Sequence, residues 1–172
     1  LLNNMSKTLI VYCHSSPEKS VQNKKLLDLV QSDANVTVLN VFEKYHAQHF
    51  VMTEEQIKHD AELLKTHDKI IFQFPMYYAN IPPCGRMWQD QVLNVHAYTP
   101  DKLKGKTLGC VITTYCPSVA YNNPDVYGPS DNVAWPIRCT AKFLNMDYNG
   151  PFFFFPDLKE DEVKKNYLVY VK

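Results

Sequence analysis

Glycine is scarce in this sequence, with five residues in 172. None of the five lies in the turn directly after the first apolar run of the chain. The turn after that run therefore carries neither the G-x-G-x-x-G fingerprint of dinucleotide-binding folds nor the lysine pattern of a phosphate-binding P-loop. These absences count against a Rossmann dehydrogenase and against a nucleoside triphosphatase. An anion site in this turn has to be built from other residue types.

An excess of either charge is also missing, since 18 basic residues balance 18 acidic ones. This balance does not require a basic face on the protein, so we expect neither nucleic acid nor an anionic membrane surface as a partner. No unbroken apolar run exceeds six residues, whereas a membrane-spanning helix needs about 20. We therefore expect no membrane insertion.

The N-terminal letters LLNNMSK lack a basic region followed by a long apolar core, so they do not predict a signal peptide. Met5 is a plausible natural start. We expect Leu1–Asn4 to be a non-native or disordered extension, and residues 5–172 to form one domain, because a chain of this length buries a full core.

The five cysteines are scattered and form no C-x-x-C pair, so the sequence indicates neither a disulfide framework nor a zinc site. Reduced thiols favour a cytoplasmic protein. The pair His46 and His49 lies near Glu43, but no further ligand stands at a motif spacing, and we predict no metal site. His59 and His67 are expected on the surface, and Cys13 in the core.

The most informative stretch begins with an apolar run, Thr8 to Cys13, which suits a strand buried on both faces. Turn formers follow at 14–17, and Ser20 is placed to cap a helix predicted over Val21 to Val30. A strand, a polar loop and a helix N-terminus together can bind an anion. The alternative is a turn whose serines and histidine merely cap the helix.

Strands and helices alternate along the whole chain. Buried strands are predicted at 8–13, 36–41, 69–74, 107–114 and 148–155, which indicates a parallel sheet with helices on both faces, an α/β three-layer sandwich. Five such units suit the flavodoxin-like strand order 2-1-3-4-5. Ligands in this arrangement bind at the carboxyl ends of the strands, so the loops after Cys13, Phe74 and Thr114 should form the site.

The stretch from Ile70 to Leu93, IIFQFPMYYANIPPCGRMWQDQVL, resembles the NAD(P)H:quinone oxidoreductase family of flavodoxin-like proteins. The positions that match the family motif are Gln73, Phe74, Pro75, Tyr77, Pro82, Trp88, Asp90 and Val92. The first loop is similar to the H-P-x-P-x-x-S-x-x-N pattern of short members, such as the ancillary subunit of glutathione-gated potassium efflux systems. There it matches at His14, Pro17, Ser20 and Asn23.

The resemblance implies a flavin, FMN rather than FAD because the short members are the nearest, with NAD(P)H as the electron donor and a quinone or another small aromatic acceptor. It also implies a homodimer. Tyr121 and Tyr78 are the catalytic candidates, Tyr121 as a proton relay or hydrogen-bonding group. The implied flavin-binding residues are His14, Ser20, Val21, Gln22, Asn23, Pro75, Met76, Tyr77, Tyr78, Ala79, Thr113, Thr114, Tyr115 and Cys116.

The third loop departs from the family pattern, which continues Thr-Thr with two glycines. Here Tyr115 and Cys116 follow Thr114, so either the loop takes another path or Tyr115 fills part of the substrate site. Larger members of the family have a histidine shortly after the tyrosine that Tyr121 matches. That histidine is missing here, and Tyr127 or water could replace it. Two other functions stay open: a redox-sensing regulatory subunit, and a non-enzymatic module with a blocked site.

Overall fold

The computed structural model describes residues 6–172. Leu1–Asn4 and Met5, which carry the expectation of an extension and a start, lie outside the described residues. No helix within the described part is long and apolar enough to cross a membrane. All five cysteines are free.

Five parallel strands form a single sheet in the order β2-β1-β3-β4-β5, which confirms the predicted flavodoxin-like arrangement. The predicted strands are correct to within one residue at each end. The observed bounds are β1 Thr8–Tyr12, β2 Val36–Asn40, β3 Lys69–Pro75, β4 Thr107–Thr113 and β5 Asp147–Phe154.

Helices cover both faces of the sheet, because successive residues of each buried strand point to opposite faces. On one face, Leu9 and Phe72 pack with Trp88 of α4. On the other, Ile10 packs with Tyr167 of α8. The helices are α1 Gln22–Leu27, α2 Val41–Tyr45, α3 Glu54–Thr66, α4 Pro83–Val92, α5 Asn94–Ala97, α6 Ser118–Tyr121, α7 Asp131–Phe143 and α8 Glu160–Val171.

The prediction that Ser20 caps the first helix is wrong. A 3-10 turn over Pro17–Lys19 comes first, and the N–H of Ser20 donates to the Pro17 carbonyl at 3.0 Å. The helix then begins one residue later than the capping pattern implies, with Val21 at its N-cap position and no side-chain cap. Proline at the first position of the turn accounts for the extra element, since its fixed φ suits a helical start. Ser20 is thereby free for another role.

Two connecting segments between strands also contain short helices. The stretch 42–52 holds most of α2, which the Asn40 side chain caps by accepting from the Glu43 N–H at 3.3 Å. The long loop 115–130 holds the four-residue α6. At the start of α3, Thr53 and Gln56 form a capping box with both reciprocal bonds present, as the spacing of threonine and glutamine three residues apart would indicate.

The prediction that His67 lies on the surface is also wrong, because the residue is buried. Its Nδ1 lies 2.7 Å from the Leu63 carbonyl and its Nε2 lies 2.8 Å from the Thr37 hydroxyl. Both ring nitrogens are therefore satisfied, which is the condition for burying an imidazole without a large penalty. Cys13 lies in the core, as predicted.

A buried carboxylate that the sequence does not reveal joins three helices. Asp60 of α3 is fully buried and accepts from Lys44 Nζ at 2.8 Å, from Tyr45 OH at 2.6 Å and from Trp88 Nε1 at 2.8 Å. Burial alone would raise the pKa of Asp60, but these donors together lower it. The carboxylate thus stays charged and holds α2 and α4 against α3.

Candidate functional site

A cleft of about 330 Å³ lies where the carboxyl ends of β1, β3 and β4 meet. It brings together most of the residues proposed to bind a flavin, from all three predicted loops. Lys19 and Pro156 also line it, although the sequence motifs do not identify them. The lining consists of His14, Lys19, Ser20, Val21, Gln22, Asn23, Pro75, Met76, Tyr77, Thr113, Thr114, Tyr115 and Pro156.

His14 forms one wall as a neutral donor. Its Nδ1 accepts the Ser16 N–H at 3.0 Å, which places the ring proton on Nε2. Burial lowers the pKa of His14, although the carboxylate of Glu18 acts in the opposite sense. The ring meets Tyr77 edge-on at 6.3 Å between centroids, so it is held between two loops of the cleft.

Two buried polar groups of the cleft lack partners within the described residues. The Ser20 hydroxyl and the Asn23 amide oxygen are both buried, and neither forms a hydrogen bond of acceptable geometry there. The Tyr12 hydroxyl lies near Ser20: burial raises the pKa of Tyr12, and the Ser20 hydroxyl lowers it. An unsatisfied buried polar atom costs about 1–3 kcal/mol. A ligand that carries oxygen donors and acceptors at this end of the cleft would remove that cost.

The amide of Asn23 is nevertheless anchored. Its Nδ2 donates to the Thr113 hydroxyl of β4 at 2.8 Å. Because a threonine hydroxyl both donates and accepts, the amide can turn over and keep this bond. Either the NH₂ group or the carbonyl of Asn23 can therefore face a ligand, and an anion selects the NH₂ group.

The loop after β3 is a tight turn. The N–H of Tyr77 donates to the Asn80 carbonyl at 3.1 Å, and the N–H of Asn80 donates back at 3.0 Å. Tyr78 and Ala79, at the tip, both have positive φ, 49° and 58°, as a two-residue turn of this kind requires. Their amides bond to no acceptor within residues 6–172. Neither residue lines the cleft, and the Tyr78 side chain is fully exposed.

The loop after β4 follows a path that needs no glycine. Neither Tyr115 nor Cys116 has a positive φ, and the Thr114 hydroxyl closes the loop by donating to the Cys116 carbonyl at 2.8 Å. The Tyr115 side chain is 97% exposed, so it stands at the rim of the cleft and does not fill it. The loop therefore accommodates Tyr115 and Cys116 without a positive φ and with the Tyr115 ring exposed.

Tyr121 lies behind this rim and does not line the cleft. Its buried ring packs at 5.3 Å against both Tyr127 and Phe155. Burial raises the pKa of Tyr121, and Cys116 and Tyr127 add to the rise. The Tyr127 hydroxyl lies 3.6 Å from the Cys116 sulfur. Tyr121 is thus a neutral phenol outside the cleft, and its neighbours Tyr127, Phe155 and Cys116 do not line the cleft either.

Two larger clefts lie elsewhere. One, of about 470 Å³, runs between α4 and α7, and the other, of about 690 Å³, lies between α1 and α2. Neither joins the ends of β1, β3 and β4, where ligands bind in open parallel sheets. The smaller cleft is therefore the better candidate.

A family model described as a flavodoxin-like fold matches residues 6–171. Among curated relatives, the glutathione-regulated potassium-efflux system ancillary protein KefG of Cronobacter sakazakii is 33% identical over 161 residues, which cover 90% of this chain and 84% of that protein. An uncharacterized NAD(P)H oxidoreductase, YdeQ of Bacillus subtilis, is 32% identical over 151 residues, which cover 85% and 74%. Among solved structures, general stress protein 14 of Treponema denticola in complex with FMN superimposes with a TM-score of 0.80, at 29% identity and 95% coverage of both chains.

Proposed function

The chain belongs to the family with the flavodoxin-like fold, and on that basis we propose that it is an FMN-dependent oxidoreductase that takes a hydride from NAD(P)H and gives it to a quinone-like acceptor. A relative named an NAD(P)H oxidoreductase and a structural neighbour solved with FMN support this proposal. FMN is proposed over FAD because that neighbour shares 95% of its length with this chain and holds FMN.

The observation that carries the proposal is the pair of unpartnered polar groups on Ser20 and Asn23, at one end of the cleft. A phosphate there would accept from the Ser20 hydroxyl, from Nε2 of His14 and, once the amide has turned over, from the NH₂ group of Asn23. Lys19 adds a positive charge beside them. Charge-assisted hydrogen bonds of this kind are about twice as strong as neutral ones.

The other end of the cleft suits a flat, largely apolar ring. Pro75, Met76 and Tyr77 form an apolar wall. The amides of Tyr78 and Ala79, in the turn that follows Tyr77, bond to no acceptor within the described residues and are the donors proposed for the edge of the ring. When bound, FMN supplies the hydride chemistry. The part of the protein is to orient the ring, to exclude water and to place donors where negative charge develops.

We place the electron donor and the acceptor at the open rim, where the exposed side chains are aromatic. Tyr78 and Tyr115 are both almost fully exposed there, and aromatic faces stack with nicotinamide and quinone rings. Large exposed apolar side chains of this kind also favour a second protomer as cover, which supports the proposed homodimer. Tyr121 is proposed to stabilise charge from behind the rim through Tyr127 and Cys116.

The visible absorption spectrum of the purified protein, before and after anaerobic addition of NADH or NADPH, tests the proposal. We expect a flavin spectrum that bleaches with pyridine nucleotide. A colourless protein that takes up no added FMN would refute flavin binding and favour a non-enzymatic module. Sedimentation velocity of the same sample tests the dimer.

One relative favours a second function. The protein named an ancillary protein of a potassium-efflux system is 33% identical to this chain, so a flavin-binding regulatory subunit is the alternative proposal. A bound flavin that stays oxidised with both NADH and NADPH would favour this function over the enzyme.

A further inference from the structure

A chain of buried hydrogen bonds runs from the C-terminal helix α8 to the cleft. The Tyr167 hydroxyl donates to Gln73 Oε1 at 2.8 Å. Nε2 of Gln73 donates to the backbone carbonyl of Asn23 at 3.3 Å. The Asn23 side chain then reaches the Thr113 hydroxyl at 2.8 Å. The chain thus links α8, β3, α1 and β4, and it ends on a residue of the cleft.

The direction of these bonds is determined by the chemistry of the groups. A backbone carbonyl only accepts, so the NH₂ group of Gln73 has to face Asn23. The Gln73 carbonyl then faces Tyr167, whose hydroxyl has to donate. Tyr167 and Gln73 are both fully inaccessible to water, so no solvent molecule can replace either partner without a rearrangement.

Packing alone does not require this hydroxyl. The Tyr167 ring lies in the apolar cluster with Ile10 and Val111, where phenylalanine would fill the same space. Burying a phenol and an amide is unfavourable unless each is bonded. The neighbouring Tyr170, by contrast, bonds only to backbone of β4 and β5, donating to the Gly150 carbonyl at 2.7 Å and accepting from the Cys110 N–H at 2.9 Å.

We propose that Tyr167 and Gln73 are positioning residues for phosphate recognition in the cleft. They fix the position of the first turn of α1 relative to β3. In this way they orient the Asn23 amide and the nearby Ser20 hydroxyl towards the place that a phosphate would occupy. This inference rests on the proposed flavin function. It adds that the affinity for the phosphate of FMN depends on a helix that does not touch the cleft.

The variant Tyr167→Phe tests the inference through the ratio of two dissociation constants, for FMN and for riboflavin, which lacks the phosphate. Both are measured by quenching of flavin fluorescence. Because one hydrogen bond at a charged contact is disturbed, we expect the FMN constant to rise about fivefold and the riboflavin constant to change less than about twofold. A general loss of stability would weaken both flavins alike.

Tyr170→Phe is the matched control, since it removes a partly buried, hydrogen-bonded hydroxyl from the same helix, and the hydrogen bonds of that hydroxyl do not lead to a residue of the cleft. Its ratio should equal that of the wild type. Gln73→Met, of similar length, removes both bonds of the amide and should lower the preference for FMN as Tyr167→Phe does.

Two outcomes separate this inference from the function on which it rests. If the wild type binds FMN and Tyr167→Phe keeps the wild-type ratio, or if Tyr170→Phe changes the ratio equally, the positioning role is wrong and flavin binding stands. If the wild type binds neither flavin, the proposed function fails and this inference fails with it.

Discussion

Replacing Ser20 by alanine should raise the stability of the flavin-free protein and lower its affinity for FMN. The two effects have one cause. The Ser20 side chain is buried, and its hydroxyl has no partner within the described residues. In the absence of a ligand, the unpaired hydroxyl destabilises the folded protein. With a phosphate in the cleft, the same hydroxyl donates a hydrogen bond to the anion.

The magnitudes follow from the same contact. An unsatisfied buried polar group costs about 1–3 kcal/mol, so its removal should raise the free energy of unfolding by about 1 kcal/mol after some loss of packing. A hydrogen bond to a charged group contributes about 1.5–3 kcal/mol. Since 1.4 kcal/mol corresponds to a factor of ten, the dissociation constant for FMN should rise about tenfold to a hundredfold.

Urea unfolding of the flavin-free protein gives the first quantity, and fluorescence titration with FMN gives the second. Ser15→Ala is the matched control, because Ser15 lies in the same loop, is partly exposed and does not line the cleft. We expect both quantities to stay at the wild-type value in that variant.

Two results would refute the reasoning. A flavin-free Ser20→Ala protein that is less stable than the wild type by about 1 kcal/mol or more would show that the hydroxyl has a partner in solution. The Tyr12 hydroxyl, which is also buried and near enough to Ser20 for that hydroxyl to lower the pKa of Tyr12 against the larger effect of burial, is the partner to examine then. An unchanged affinity for FMN would show that Ser20 does not contact the phosphate.

Three further predictions concern stability, pH and turnover. Asp60→Asn should lower the free energy of unfolding by about 3 kcal/mol, because it leaves buried donors unpaired. His59→Ala removes an exposed side chain whose Nδ1 lies 3.0 Å from Asp60 Oδ1, and it should cost less than about 0.5 kcal/mol in the same urea assay. The lowered pKa of Asp60 means that its contribution is present above about pH 4 and is lost as the pH falls through the folded value, so the variant should show a flatter acid limb. The pKa of His14 is lowered from 6.5, so the unfolded chain binds its proton more tightly and stability should fall as the pH drops below about 6.5; His14→Gln should remove this part of the slope. Replacing both Tyr115 and Cys116 by glycine should raise quinone turnover by opening the rim, and equal turnover with FMN still bound would contradict a role for Tyr115 in narrowing the acceptor site.

The strands and their order could be predicted from the sequence because each depends on a local pattern. Residues 69–74 and 107–114 are rich in apolar and β-branched residues, which suit strands buried on both faces. Alternation with helices leaves few topologies for five such strands. Once that order is assigned, the loops that meet at the carboxyl edge are assigned as well. This is why side chains from three distant loops could be predicted to lie close together.

Two features could not be predicted because they depend on pairing between residues that are distant in sequence. His67 follows a charged helix and is therefore expected on the surface, yet its partner Thr37 lies 30 residues away. The sequence does not single out Asp60, whose partner Trp88 lies 28 residues away. No local pattern identifies such partners. The error at Ser20 has a local cause instead, because Pro17 starts its own turn and displaces the cap.

The loop after β4 shows where a departure from a family motif does and does not bear on function. Glycine is needed where φ is positive or the backbone approaches a ligand closely. Here neither Tyr115 nor Cys116 has a positive φ, and the Thr114 hydroxyl braces the turn from within. The loss of both glycines therefore removes no conformation on which this loop depends. Their replacement instead puts an exposed Tyr115 side chain at the rim, where it affects which acceptor can enter the cleft. The phosphate end of the cleft, with Ser20 and Asn23, is unchanged by it.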